Sequence, residues 1–236
     1  MGDTEHQDAQ VPELAARHIA YVSTARCSKD HFSSQSLVPR DITTWQWLFE
    51  ETTYSPLHRF PASQLGGFTD AITKERLSWQ QVKDNATYLS TALVKKYGLR
   101  EGQTVSLFSA NTIWYPVAMH ATLRVGGRVS GASPAYNVEE MTYALQKADA
   151  KFLMTHPDSM EVAVKAAAKA GVKRENIFLL ERKLDGFRNI KELVEEGRKL
   201  GQQVPYFRIP EGKTNFDVCG FLSFSSGTTG LPKAVM

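Results

Sequence analysis

The sequence is short of several things, and each shortage removes a class of protein. Only two cysteines, Cys27 and Cys219, occur in 236 residues, too few for a disulfide framework or a zinc cluster. The most apolar stretch, residues 113–125, is interrupted by Pro116, His120 and Arg124. It falls well short of the roughly 20 apolar residues a bilayer-spanning helix needs. Neither sign of charge dominates: 28 Lys and Arg stand against 25 Asp and Glu, a formal net charge of +3. No basic run is interleaved with aromatics, so a nucleic-acid partner is not indicated. The N-terminus, Met1-Gly2-Asp3-Thr4-Glu5-His6, carries acids where a signal or transit peptide carries bases. His6 also stands where a myristoylation signal needs Ser or Thr. No internal repeat or low-complexity tract is present. With 42% apolar residues the chain is too apolar for disorder, and it is expected to be a globular intracellular protein without a membrane span.

From Thr104 onward, β-rich runs alternate with helical patterns. Strands are expected over residues 104–109, 128–130, 151–155, 176–180 and 221–224. Helices are expected between them: residues 112–125, with Trp114, Ala118, Ala121 and Val125 on one face; a helix capped by Asn137 and running to Ala148; one capped by Asp158 and ended by Gly171; and one capped by Asn189 and ending near Gly201. That alternation predicts an α/β fold, a mostly parallel sheet covered by helices. Nearer the N-terminus, Thr43 and Thr44 start a helix whose Trp45, Trp47, Leu48 and Phe49 read as core aromatics and aliphatics rather than a stacking surface. Residues 1–40 are polar and mixed, and read as an extension preceding a domain over 41–236.

Most chemistry-bearing residues have a bland explanation. The six histidines form no pair at i, i+4 spacing and join no metal-spaced cluster, so no metal ligand is assigned. His120 lies in an apolar helical pattern and reads as a satisfied packing residue. Glu50-Glu51, Glu139-Glu140 and Glu195-Glu196 diverge on helices and read as first-turn or solvated charges. Gly131-Ala132-Ser133-Pro134-Ala135 is a near miss to a nucleophile elbow. That elbow needs the backbone N–H after its serine, and Pro134 has none. No residue is assigned a catalytic role.

One segment resists the bland reading. Phe224-Ser225-Ser226-Gly227-Thr228-Thr229-Gly230-Leu231-Pro232-Lys233 follows an apolar strand and gathers four hydroxyls, two glycines and a lysine. Gly227 and Gly230 let successive N–H groups face one concavity. Ser225, Ser226, Thr228 and Thr229 add donors, and Lys233 adds a positive charge, a combination suited to polyphosphate. A surface turn would use the same residue types singly, but not as this whole string. A Walker loop needs Gly-Lys followed by Ser or Thr, whereas Lys233 lies between Pro232 and Ala234.

The string from Ser225 to Lys233 resembles the phosphate-binding signature of the adenylate-forming (AMP-binding) superfamily. Upstream, Leu77-Ser78-Trp79-Gln80-Gln81-Val82, Gly98-Leu99-Arg100-Glu101-Gly102-Gln103-Thr104-Val105 and Gly126-Gly127-Arg128-Val129-Ser130-Gly131-Ala132-Ser133-Pro134-Ala135-Tyr136 are similar to successive elements of its acyl- and aryl-CoA synthetase branch, the one that includes coumarate-CoA ligases. Ala234 departs from the glycine common after the motif lysine. The resemblance implies ATP, Mg²⁺ and CoA as co-substrates, a small-molecule carboxylic acid as substrate, and Ser225, Ser226, Gly227, Thr228, Thr229, Gly230 and Lys233 as the nucleotide-phosphate site. It also implies that this chain is the N-terminal portion of such an enzyme. The family's ribose-binding aspartate, its later glutamate motif and its C-terminal lid domain lie beyond Met236, so the isolated chain is expected to be inactive. The alternative is a non-catalytic product that binds nucleotide weakly or a protein partner. A cytoplasmic or peroxisomal location is implied.

Overall fold

In the computed structural model the described residues are 39–225 and 233–235. By internal contact the chain divides into Met1–Pro39 and Arg40–Met236, and the elements described below all belong to the second unit. Thr43 and Gln46 cap each other reciprocally, backbone N–H to side-chain oxygen at 3.2 Å in both directions. The turn then continues as a π-helix over Gln46–Glu50. Trp45 and Phe49 are fully buried, as the sequence predicts. Trp47 is not: it is half-buried and stacks on Tyr54 at 4.7 Å. A short helix α1 (Pro56–Arg59) and an antiparallel ribbon of β1 (Gly67–Thr69) and β2 (Arg76–Ser78) lead into α2 (Trp79–Tyr97). Ser78 and Gln81 close a capping box at the start of α2, so two orphan N–H groups are satisfied at once.

The main sheet is built from β3 (Thr104–Phe108), β4 (Arg128–Ala132), β5 (Ala150–Thr155), β6 (Ile177–Leu179), β7 (Arg188–Asn189), β8 (Phe221–Ser225) and β9 (Lys233–Val235). Its order is β7-β6-β5-β3-β4-β8-β9. Six strands are parallel, and β9 alone runs antiparallel, beside β8. Helices α3 (Tyr115–Arg124), α4 (Val138–Lys147), α5 (Met160–Ala170) and α6 (Ile190–Lys199) lie between strands in the chain. The step from β3 to β4 and the step from β4 back past β3 to β5 travel in opposite directions. Right-handed crossovers therefore put α3 and α4 on opposite faces. The core divides accordingly. Val117, Ala118 and Ala121 of α3 join Val105, Leu107, Phe152 and Met154, while Met141 and Leu145 of α4 join Phe108, Leu153 and Leu179. Successive residues of β3 and β5 thus feed different cores, which is why those strands are continuous buried runs.

The local signals position the elements closely, with two shifts. Asn137 and Asn189 each close a capping box, with Glu140 and Glu192. Gly171 ends α5 at φ 77°, a left-handed stop that glycine adopts without a Cβ penalty. Asp158 does not cap α5. Pro157 opens a short 3-10 turn, His156 Nδ1 accepts the Asp158 N–H at 3.3 Å, and α5 begins two residues later at Met160. Likewise α3 begins at Tyr115 rather than Thr112, because Thr112 folds into a turn whose hydroxyl accepts the Trp114 N–H at 3.2 Å. His120 is buried against Phe49, edge to face at 5.0 Å, but its Nδ1 has no partner among the described residues. It is a packing residue, and not a satisfied one. Glu196 is no solvated charge either: only 17% exposed, it accepts from Arg188 at 2.5 Å and pairs with Lys96 at 3.4 Å. Among the described residues no helix is long and apolar enough to cross a membrane.

Candidate phosphate site at the carboxyl rim

In an open parallel sheet, ligands bind beyond the carboxyl ends of the strands, where neighbouring connections leave for opposite faces. Here that place is the rim shared by β3, β4, β5 and β8. The β3 connection leaves toward α3, while those of β4 and β5 leave toward α4 and α5 on the other face. The glycine-rich string follows β8 on this rim. Its two ends are fixed by pairing: Ser225 stands opposite Lys233, Phe224 opposite Ala234 and Ser223 opposite Val235. The two ends of the string are therefore held beside each other by strand pairing. Ser226, Gly227, Thr228, Thr229 and Gly230 lie outside the described residues. Of the seven residues expected to hold phosphate, Ser225 and Lys233 are placed by their backbones.

The rest of the rim is polar and largely tied to itself. Thr112 donates its hydroxyl to Glu181 Oε1. Glu181 Oε2 lies 3.7 Å from His156 Nε2. Asp158 accepts from Arg182, whose guanidinium holds that carboxyl below its ordinary value. This cluster joins the chain ends leaving β3, β5 and β6. The sequence does not announce it, because its members are far apart in the chain and meet only through strand order. Ser133, the near-miss nucleophile, accepts the Ala135 N–H at 3.3 Å and serves its own turn after β4. Among the described residues no group of three or more His, Cys, Asp or Glu side chains is placed to hold a metal ion. Tyr115, at the first position of α3, is half-buried, and burial pushes its phenol up.

Comparison with known proteins identifies the family and the fold. Residues 64–236 match the model of the AMP-binding enzyme family, and the chain belongs to that family. It is 31% identical over 169 residues to 4-coumarate–CoA ligase-like 1 of Arabidopsis thaliana, covering 72% of this chain and 29% of that protein. It is 26% identical over 196 residues to an acyl-CoA ligase of Aspergillus niger, covering 80% of this chain and 34% of the relative. Among solved structures, an anthranilate CoA ligase in complex with anthranoyl-AMP superposes with a TM-score of 0.65 at 21% identity, over 84% of this chain and 35% of that one. The chain thus spans about a third of the length of the relatives it matches. The predicted α/β class with a mostly parallel sheet is the fold of these enzymes' large domain.

Proposed function

We propose that this chain supplies the nucleotide-phosphate site of an ATP-dependent acyl- or aryl-CoA synthetase, as its N-terminal portion. The reaction would join a carboxylate to the α-phosphate of ATP, releasing pyrophosphate, and then pass the acyl group to CoA, releasing AMP. The observation that carries the proposal is the pairing of Ser225 with Lys233 on the strand next to β4, which puts both ends of the hydroxyl- and glycine-rich string at the carboxyl rim. Ser225, Ser226, Gly227, Thr228, Thr229, Gly230 and Lys233 are proposed to hold the β- and γ-phosphates. Backbone N–H groups and hydroxyls would supply donors, and Lys233 the charge that stabilises departing pyrophosphate. Magnesium would arrive on the phosphate oxygens, its usual mode with nucleotides, rather than on a protein cage. Residues 41–236 are proposed as part of the adenylation domain, with 1–40 as an extension. A small carboxylic acid is the proposed substrate, nucleic acid is not a proposed partner, and a cytoplasmic or peroxisomal location belongs to the same reading.

The test is calorimetric titration of the 236-residue protein and its Lys233→Ala variant with ATP. A charge-assisted contact contributes about 1.5–3 kcal/mol, so the variant should bind roughly tenfold or more weakly. Wild-type protein that does not bind ATP, or a variant that binds it equally well, would remove the loop from the nucleotide site.

A further inference from the structure

His156 follows β5 directly, and its base is fixed on the neighbouring strand. Its N–H donates to the Phe108 carbonyl at 3.4 Å, and the Thr155 hydroxyl donates to the same oxygen at 2.8 Å. The side chain is 18% exposed, and each ring nitrogen has neighbours of its own. Nδ1 accepts the Asp158 N–H at 3.3 Å, capping the 3-10 turn before α5, and also lies 3.2 Å from Asp158 Oδ2. Nε2 lies 3.7 Å from Glu181 Oε2. Asp158 and Glu181 are the carboxylates that face the ring. Arg182 reaches it only through Asp158, with which its guanidinium pairs. The β3 connection brings the uncharged Thr112 hydroxyl, which donates to Glu181.

The two contacts at Nδ1 require opposite states of that nitrogen. A bare Nδ1 accepts the N–H but sets its lone pair against a carboxylate oxygen. An Nδ1 that carries a proton donates to the carboxylate but turns a hydrogen toward the N–H. The neutral ring with its proton on Nε2 makes the cap and points a donor toward Glu181. The neutral ring with its proton on Nδ1 loses the cap and sets a lone pair against Glu181. The imidazolium donates from both nitrogens, one toward each carboxylate. A ring held at such a point exchanges partners when it gains a proton, and histidine is the side chain that changes state between about pH 5 and 8.

We propose that His156 is a proton-operated clasp on the carboxyl rim: neutral, it caps the turn before α5 through Nδ1; protonated, it gives up the Asp158 N–H and joins the carboxylates of Asp158 and Glu181. The proton thereby adds a charged link between the β5 and β6 connections, at the residue by which the latter already holds Thr112. The β6 connection has need of such a hold. Arg182 sits at φ 50°, in the left-handed region, a conformation that persists in a non-glycine residue where its surroundings fix it. The clasp is independent of the phosphate reading of the Ser225–Lys233 string.

The experiment follows the 236-residue protein and its His156→Asn variant by NMR from about pH 8 to about 5.5, within the range where histidine changes state. Ring-nitrogen shifts report the tautomer, the Asp158 amide proton reports the cap, and the Glu181 carboxyl carbon reports the clasp. At the alkaline end the ring should carry its proton on Nε2, with the Asp158 amide proton downfield as in a hydrogen bond. As the ring gains its second proton, that amide should move upfield and the Glu181 carbon should shift in step with it. In His156→Asn the side-chain oxygen can accept the same N–H at every pH, so both signals should stay in place through that transition. A neutral ring protonated on Nδ1 would overturn the proposal, because the cap would never form. So would an Asp158 amide that stays fixed while the ring titrates, or a Glu181 response that persists in His156→Asn. The wild-type readings decide the matter even if the variant does not fold.

Discussion

His120 makes the stability of the fold depend on pH in a calculable way. The imidazole is 3% exposed, lies against Phe49 and Trp79, and has no partner for Nδ1 among the described residues. Burial lowers its pKa from 6.5 to about 4, because the cation would lose its hydration and gain no acceptor. Between those values the unfolded chain binds a proton that the folded chain refuses. Stability attributable to His120 is therefore fully present above pH 6.5 and declines as pH falls toward 4. The slope is about 1.4 kcal/mol per pH unit, and the whole interval amounts to about 3 kcal/mol. The surface carboxyls of Asp70, Glu139, Asp158, Glu161, Glu192 and Asp217 are held below their ordinary values by hydrogen bonds and cations. Their contributions are lost only below about pH 4.5, so the window from about 5 to 7.5 separates them from the histidine. The assay is urea unfolding followed by tryptophan fluorescence, comparing wild type with His120→Leu at each pH. The stability of wild type relative to His120→Leu should fall by about 2 kcal/mol from pH 7.5 to 5. A difference that stays constant over that window would refute a buried neutral imidazole.

The packing sets three other outcomes. Gly197→Ala should destabilise the protein by about 2 kcal/mol or more, although alanine is the better helix former by about 1 kcal/mol. Its Cβ would fall 1.9 Å from the Tyr88 carbonyl oxygen, where α6 crosses α2; a stabilised variant in urea unfolding would mean the helices are farther apart. Asn189→Ala should cost about 1–2 kcal/mol, since the Asn189 side chain accepts the Glu192 N–H at 2.9 Å and donates to the Arg182 carbonyl at 2.9 Å. Asn189→Asp should recover the cap but not the Arg182 bond, and equal stability of the Ala and Asp variants would show that the cap contributes nothing.

Much of the fold was legible because its signals are local. A cap needs one side chain and the N–H groups three residues on, so Asn137 and Asn189 could be read where they stand. Asp158 misled because Pro157 inserts a 3-10 turn before α5, and the first polar residue before a helix is then not the cap. The longest helix, α2, went unread for a different reason. Its buried face holds Val82, Ala86, Leu89 and Leu93, but also Thr87, Ser90 and Thr91, which blur the apolar stripe. They can be buried because each hydroxyl donates back to a carbonyl one turn earlier: Thr87 to Lys83, Ser90 and Thr91 to Thr87. The short strands β1, β2, β7 and β9 show no period and lack the continuous apolar run that marks β6, which is no longer than they are; only pairing defines them.

The same distinction separates the proposed phosphate string from the rest of the rim. A phosphate grip made of consecutive N–H groups and hydroxyls is contiguous by construction, so a single string could announce it before any strand was placed. Thr112, His156 and Glu181 belong to the connections after three different strands, and each alone is ordinary. They meet only because strand order sets β5 between β3 and β6. A side chain that a fold contributes to a site from a distance leaves no pattern in sequence.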